Sequence, residues 1–183
     1  PPEVPIGDGP EEAIFFAADL RDPESSQSLV DFTLERFGRI DILVNNAGGS
    51  PPVEAASASP RLTEKIVALN LVAPLVLSQQ AHGALSANDA PGCIVNIASV
   101  SGARPSPGTA AYGAAKAGLL SSTRSLAMEW GPRIRVNAIV VGLVHNAAGI
   151  EHYGGAEGFQ RVADMLPLGR MAVPVDVANA VLM

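Results

Sequence analysis

The chain has 183 residues, a formal net charge of −6 and a single cysteine; 48% of its residues are hydrophobic and 16% are charged. This length suits one domain, and the composition excludes a disordered chain. The lone Cys93 excludes a disulfide framework and fits a reducing compartment, so a cytoplasmic location is expected. The acidic balance argues against nucleic acid and anionic membranes as partners. The longest nearly apolar stretch, Ile66 to Leu77, is broken by Asn70 and Pro74 and is shorter than the about 20 residues of a membrane span.

Short apolar runs alternate with longer amphipathic segments, a pattern typical of β/α units around a parallel sheet. Each apolar run is almost continuous, as expected of strands that helices cover on both faces. The predicted strands are Ala13 to Ala18, Ile40 to Val44, Cys93 to Ala98 and Val136 to Val141.

Capping residues and helical spacing predict helices between and after these strands. After the last strand the pattern loosens around several glycines, and residues 145–170 are expected to form a mobile substrate flap. The predicted helices are one that Asp22 caps and Gly38 ends, one from Pro60 towards Ser86, one from Thr109 to Trp130, and one over Val175 to Leu182.

Tyr112 and Lys116 lie four residues apart in the third predicted helix, which puts a phenol and an ammonium group on one face. A cation held near a tyrosine favours the phenolate, and the residue can then act as a general acid or base. The same spacing occurs by chance in many helices. The pair alone therefore leaves a catalytic pair and a bland surface pair open.

Three polar features accompany this pair. Ser99 ends an apolar strand, where open α/β sheets bind ligands, and could hydrogen-bond a reacting oxygen. The run Asn45-Asn46-Ala47-Gly48 directly follows another strand, so two strand ends are expected to meet at one crevice. Asn70 precedes Pro74 by four residues. Because proline has no N–H, the Asn70 carbonyl is expected to be free inside an apolar helix, where it could hold a water molecule.

The order and approximate spacing of these residues resemble the short-chain dehydrogenases/reductases. The resemblance extends from Asp19 to the end of the chain and includes Gly38 to Val44 and Arg135 to Ala138. It implies a three-layer α/β/α, Rossmann-like doubly wound parallel sheet and an NAD- or NADP-dependent oxidoreductase. The implied partner is a small-molecule alcohol or ketone, interconverted at a secondary carbon. The implied assembly is a homodimer or homotetramer through the two long helices.

The resemblance also implies roles for individual residues. Tyr112 would be the catalytic acid/base, Lys116 would stabilise its phenolate and hold the nicotinamide ribose, and Ser99 would orient the substrate oxygen. Asn70 would keep the water that links Lys116 to solvent. The further cofactor-binding positions would be Asp19 and Leu20 at the adenine, Asn46, Ala47 and Gly48 at the adenosine ribose, and Val144 at the carboxamide.

The chain departs from the family pattern at its start. Family members open with a strand and a glycine-rich turn that binds the pyrophosphate, whereas this chain offers only Gly7-Asp8-Gly9, interpreted as a simple turn. In the strand order 3-2-1-4-5-6, the first predicted strand would be number three and the next number four. Strands one and two, and a final strand after Met183, are not seen. Residues 1–183 are therefore expected to be a single, incomplete dinucleotide-binding domain. Asn146 also stands where relatives usually have Thr.

Two other functions stay open. A non-catalytic relative could use the fold as a scaffold that acts through oligomerisation, although it would not need the four catalytic positions. An epimerase or lyase could use the same Tyr and Lys.

The remaining candidate residues have plain structural interpretations. The three histidines share no metal-ligand spacing, so no metal site is expected. Cys93 is expected to be a small buried hydrophobe and Trp130 a packing residue. Residues expected to line the flap are His145, His152 and Tyr153.

Overall fold

The computed structural model describes residues 13–145 and 155–183. Within this part, three parallel strands form one sheet: β1 (Ile42–Asn45), β2 (Gly92–Ser99) and β3 (Ile134–Val141), in the order β1-β2-β3. Asn45 of β1 lies opposite Asn96 of β2, which in turn pairs with Ala138 of β3. This is the arrangement expected of strands four, five and six of a doubly wound sheet, and it confirms the predicted α/β class.

Helices connect the strands, with one departure from the predicted pattern. The second predicted helix is divided by a π-helical turn, Ala68–Val72, which ends two residues before Pro74. Proline cannot donate to the carbonyl four residues earlier, so the regular pattern changes at this point. The helices are α1 (Pro23–Phe37), α2 (Pro60–Val67), α3 (Ala73–Ala87), α4 (Ala110–Trp130), α5 (Gly155–Asp164) and α6 (Pro174–Val181), with a short 3-10 turn at Val100–Gly102.

The main core lies on one face of the sheet, between the strands and helices α1, α3 and α4. Leu85 of α3 and Ile94 of β2 are fully buried there and pack with Val136 of β3. Burial of each such side chain stabilises the fold by about 1.5–3 kcal/mol. The helices therefore hold β2 firmly, and Ser99 stands at its carboxyl end.

The opposite face of the sheet is less covered. Side chains of Ile42 and Val44 are 62% and 40% exposed. Helix α6 contacts β3, and an apolar cleft of about 580 Å³ lies between α6 and the sheet, with Val44, Ile97 and Val141 on the sheet side. The expectation that helices cover both faces of every strand is therefore wrong for β1 within the described part of the chain.

Residues 13–18 form no strand, so the first strand prediction is wrong. A strand needs a neighbour to complete its backbone hydrogen bonds, and the described residues provide none beside this segment. Phe16 instead packs on Phe32 of α1, with ring centroids 4.8 Å apart, while Phe15 is exposed.

The helical stretch Pro60–Ala87 is long and apolar enough, by length and composition, to cross a membrane. In this fold one side of it packs on the sheet: Leu77, Ala81 and Leu85 are buried in the same core as Ile94. Helices that cover a parallel sheet have this character. The packing here is that of a core helix.

Several smaller predictions are confirmed. Asp22 caps α1 by accepting a hydrogen bond from Glu24 N at 3.1 Å, and the helix ends at Gly38. Cys93 is buried. Trp130 packs at the edge of the core and against His82, with ring centroids 4.8 Å apart and the ring planes inclined by 60°.

Candidate active site

Three of the four predicted catalytic residues, Ser99, Tyr112 and Lys116, meet at the carboxyl edge of the sheet. Ser99 comes from the end of β2, Tyr112 and Lys116 from the first turns of α4, and Gly48 from the turn after β1. They surround a cavity of about 200 Å³. Its lining residues are Asn46, Gly48, Gly49, Ile97, Ala98, Ser99, Tyr112, Lys116, Val141 and Gly142.

Lys116 is buried, with only 4% of its surface exposed. Its Nζ donates a hydrogen bond to the carbonyl oxygen of Ile97 at 2.8 Å and lies 5.7 Å from the centre of the Tyr112 ring. Burial lowers the pKa of the Lys116 ammonium below its ordinary value, because a charge is costly away from water. The site therefore holds a poorly hydrated cation next to a phenol.

Ser99 is half-buried, and its Oγ accepts a hydrogen bond from Ser101 N at 3.2 Å. The 3-10 turn that follows Ser99 packs closely against α4 beside Tyr112. A Cβ added to Gly113 would lie 2.8 Å from the carbonyl oxygen of Ser101, closer than real side chains approach. The missing side chain of Gly113 therefore allows α4 to bring Tyr112 close to the end of β2, a role that sequence reasoning did not assign.

Asn70 is fully buried, and its side chain contacts the turn after β1. Its Oδ1 accepts from Gly49 N at 2.9 Å, and its Nδ2 donates to the carbonyl oxygens of Gly49 and Ile66, both at 2.9 Å. A Cβ on Gly48 would lie 2.7 Å from Asn70 Oδ1 and 3.3 Å from Lys116 Nζ. The side chain of Asn70 thus fixes the turn after β1, whereas the predicted water at its carbonyl stays a prediction.

A buried chain of polar side chains runs beneath the site and was missed from the sequence. Asn45 Nδ2 donates to Asn96 Oδ1 at 2.8 Å, and Asn96 Nδ2 donates to Thr123 Oγ1 at 2.9 Å. Asn45 Nδ2 also lies 3.1 Å from Ser78 Oγ of α3. The signal available in the sequence was an asparagine inside each of two otherwise apolar strands.

Of the predicted cofactor residues, Asn46, Ala47 and Gly48 follow the carboxyl end of β1 and Val144 follows that of β3. Asn46 lines the catalytic cavity, the apolar cleft beside α6, and a third cavity of about 220 Å³ that Leu20 and Ala47 also line. Val144 lines the apolar cleft. Because the three cavities share Asn46, the residues present fit the two nucleoside ends of a dinucleotide along this edge, whereas residues 13–145 and 155–183 include no glycine-rich turn for its pyrophosphate.

Asp19 is exposed, and its carboxylate binds the Arg21 guanidinium at 2.7 Å. Hydrogen bonds from Arg21 lower the pKa of Asp19 to about 2. Its predicted contact with the adenine stays a prediction.

The predicted flap, residues 145–170, is described in part. His145 N donates to the carbonyl oxygen of Ala172 at 2.7 Å, and Ala172 N donates to that of Leu143 at 3.0 Å. The His145 ring packs on Phe159 of α5, with centroids 4.9 Å apart. These contacts join the end of β3 to the segment before α6. Asn146, His152 and Tyr153 lie outside the described residues.

The chain is similar in sequence to known oxidoreductases. A family profile described as enoyl-(acyl carrier protein) reductase matches residues 6–183. The chain is 34% identical over 176 residues to a putative ketoacyl reductase 2 of the granaticin polyketide synthase from Streptomyces violaceoruber, covering 93% of this chain and 70% of that protein. It is also 34% identical over 168 residues to 3beta-hydroxysteroid dehydrogenase 1 from Eggerthella lenta, covering 89% and 63%. The chain thus spans about two thirds of the length of these relatives.

Solved structures show the same fold. A putative short-chain alcohol dehydrogenase from Sinorhizobium meliloti superposes with a TM-score of 0.83 at 33% identity, covering 90% of this chain and 66% of that one. The aldohexose dehydrogenase of Thermoplasma acidophilum, at 24% identity, shares the fold with a TM-score of 0.87 over 96% of this chain and 71% of its own. The chain belongs to the short-chain dehydrogenase/reductase family of oxidoreductases.

Proposed function

We propose that this chain provides the catalytic part of an NAD- or NADP-dependent oxidoreductase that interconverts a secondary alcohol and a ketone. The observation that carries the proposal is the buried Lys116 ammonium, 5.7 Å from the centre of the Tyr112 ring, at a cavity that Ser99 also lines. Among the ion pairs of residues 13–145 and 155–183, none includes Lys116. A buried cation without a carboxylate is unfavourable for folding, so its position beside a phenol supports a catalytic role.

Tyr112 is the proposed acid/base. In alcohol oxidation its phenolate would take the proton of the substrate hydroxyl, and in ketone reduction its phenol would return that proton to the substrate oxygen. Lys116 favours the phenolate through its charge. Ser99 Oγ already accepts from Ser101 N, so its own hydrogen can be donated to the substrate oxygen.

Hydride transfer is the chemistry that a nicotinamide cofactor supplies when it is bound. One related fold, ElxO, is described with NADP bound. Asn70 is proposed to hold a relay water through its carbonyl; in support, its Oδ1 and the Lys116 Nζ flank Gly48. The residues proposed to hold the cofactor are Tyr112 and Lys116 at the nicotinamide ribose, Val144 at the carboxamide, Asn46, Ala47 and Gly48 at the adenosine ribose, and Asp19 and Leu20 at the adenine.

The test is a titration of the native protein with NADH and NADPH, followed by cofactor fluorescence, together with turnover of a panel of secondary alcohols and ketones. Saturable binding with turnover supports the proposal. Binding of neither cofactor at high concentration would favour a non-catalytic scaffold instead.

The native protein is further proposed to be a cytoplasmic homodimer or homotetramer that assembles through α3 and α4. In support, Met128 of α4 is 86% exposed and Val72, just before α3, is 48% exposed. Isolated apolar side chains are common on protein surfaces, so the measurement is the molar mass by light scattering. Met128→Glu is expected to lower that mass, with Glu129→Gln as the matched control.

Residues 145–170 are proposed to form the flap over the substrate. Helix α5 lies within this range and is joined to the end of β3 through the packing of Phe159 on His145. Limited proteolysis with and without cofactor tests this role, since protection of the flap on binding is expected.

A further inference from the structure

Thr123 and Lys116 bind neighbouring residues of the same strand from the same face of α4. They lie two helical turns apart, which puts their side chains one above the other. Lys116 Nζ donates to the carbonyl oxygen of Ile97, and Thr123 Oγ1 accepts from the side chain of Asn96, the preceding residue of β2. Two hydrogen bonds therefore fix α4 against β2 next to the reacting groups.

The hydrogen bond to Thr123 belongs to a series in which each side chain donates to the next. Asn45 donates to Asn96, Asn96 donates to Thr123, and Thr123 donates to the carbonyl oxygen of Leu119 at 2.7 Å. All three polar side chains are buried. Because Thr123 uses its only hydrogen within its own helix, its oxygen must accept from Asn96, and the direction of every bond in the series is set.

The hydrogen-bond series begins at Asn45, the last residue of β1. Asn45 pairs with Asn96 across the sheet, and the turn that carries Asn46 and Gly48 begins directly after Asn45. Ile97 therefore lies beyond the end of β1, and its carbonyl oxygen accepts from Lys116. The series of hydrogen bonds from Asn45 to Thr123 thus connects the turn after β1 to α4, the helix that carries Lys116.

We propose that Thr123 is a positioning residue for Lys116: through Asn96 it fixes the height and rotation of α4 on β2, so that the Lys116 ammonium stays buried at the Ile97 carbonyl beside Tyr112. The effect of Thr123 on catalysis rests on the proposed function of Tyr112 and Lys116. Its effect on the position of Lys116 does not, because that position can be measured without any substrate.

The sequence offers a direct readout. Lys116 and Lys65 are the only two lysines of the chain. With lysine labelled at Cε, an NMR titration gives one signal for each lysine, and the signal that is absent from Lys116→Met is that of Lys116. Burial lowers the pKa of Lys116, so its titration midpoint reports how well the ammonium is held away from water.

The experiment compares Thr123→Val, which removes the hydroxyl at nearly constant volume, with Thr123→Ser, which keeps it. Thr123→Ala is a second variant without the hydroxyl, in case the valine variant folds poorly. Ser125→Ala is the control on the same helix, since Ser125 is exposed and bonds only within α4. Val30→Ala on α1 is the control for loss of stability alone, because Val30 is buried in the core and takes no part in the hydrogen bonds from Asn45 to Thr123.

The proposal predicts that Thr123→Val or Thr123→Ala raises the Lys116 midpoint at least halfway back to that of an ordinary lysine. Thr123→Ser, Ser125→Ala and Val30→Ala should leave it unchanged. A Lys116 midpoint that stays at the wild-type value in a folded variant without the hydroxyl would overturn the proposal, even if thermal stability falls. Where turnover is measurable, the same variants should lower kcat with little change in KM. Absence of turnover in the wild-type protein would contradict the proposed function and leave the titration result valid.

Discussion

One side-chain amide, that of Asn70, holds both backbone groups of Gly49. Oδ1 accepts from the N–H and Nδ2 donates to the carbonyl oxygen, each at 2.9 Å. This is the pattern of a neighbouring peptide group, supplied by a buried residue 21 positions further along the chain. The turn that carries Gly48 is therefore built onto the helical stretch around Asn70, and the position of that turn depends on one side chain.

Removal of this amide is expected to destabilise the fold. Asn70→Ala leaves the Gly49 N–H and the partly buried carbonyl groups without their partner, so the free energy of unfolding should fall by about 2–4 kcal/mol. Denaturation by urea measures it. Ser28→Ala on the exposed face of α1 is the control and should change stability by less than about 0.5 kcal/mol. An Asn70→Ala effect as small as that of the control would contradict the role of the amide.

Gly48 should not tolerate a side chain. A Cβ there would lie 2.7 Å from Asn70 Oδ1 and 3.3 Å from Lys116 Nζ, so Gly48→Ala is expected to weaken at least tenfold the binding of whichever cofactor, NADH or NADPH, the native protein binds. The matched control is Gly83→Ala in α3, where an added Cβ meets nothing within 4 Å. That control should stabilise the protein by about 0.5–1 kcal/mol, because alanine favours the helix. Calorimetric titration and thermal unfolding of both variants give the comparison, and equal cofactor affinity in the two would refute the prediction.

Lys116 is expected to lower the free energy of unfolding, although turnover depends on it. Its buried ammonium has a lowered pKa, which means that the folded state disfavours the charged form. Lys116→Met should therefore raise the free energy of unfolding at neutral pH by about 1 kcal/mol while abolishing turnover. The gain should be full below the folded pKa and shrink as pH rises towards the ordinary value of 10.5, where the unfolded chain also loses its proton. Unfolding curves across this pH range test the trend, and a loss of stability at neutral pH would contradict it.

The start of α6 depends on Asp176. Its carboxylate binds Arg170 at 2.7 Å and accepts from Val173 N at 2.8 Å, and these bonds lower its pKa to about 2. Because the folded pKa is depressed, the stabilisation is present above the unfolded value of 3.8 and is lost as pH falls through about 2. A carboxyl NMR titration should give a midpoint near 2 for wild type, and in Arg170→Gln the Asp176 midpoint should rise towards 3.8 without reaching it, because the bond from Val173 N remains. A wild-type midpoint near 3.8 would show that this ion pair does not persist in solution.

Sequence patterns predicted the helices well, because a helix is stabilised largely by contacts between residues close in sequence. Helix α4 has a long helical pattern, and the Tyr112 and Lys116 spacing follows from it. Residues 13–18 have the apolar composition of a strand but form none, because a strand depends on a neighbour that no local pattern specifies. Phe37 continues the helical spacing of Val30 and Leu34 along α1 but is 55% exposed, since the core ends before the last turn of that helix.

The connections within the site were harder to predict. Pro74 drew attention to the carbonyl of Asn70, whereas the side-chain contact with Gly49 depends on how the helix is rotated in the fold. For the same reason Thr123 could not be distinguished from the other hydroxyl residues of α4. Which hydroxyl is buried follows from packing across the sheet and not from sequence spacing.

Replacement of Tyr112 by phenylalanine in the native protein tests the central claim most directly, with turnover and affinity for the bound cofactor, NADH or NADPH, measured on the same samples. The variant keeps the ring beside Lys116 and removes only the phenolic oxygen. If Tyr112 is the acid/base, kcat falls by about 100- to 10,000-fold while the Kd of that cofactor changes only slightly. Turnover within a few-fold of wild type would contradict the account.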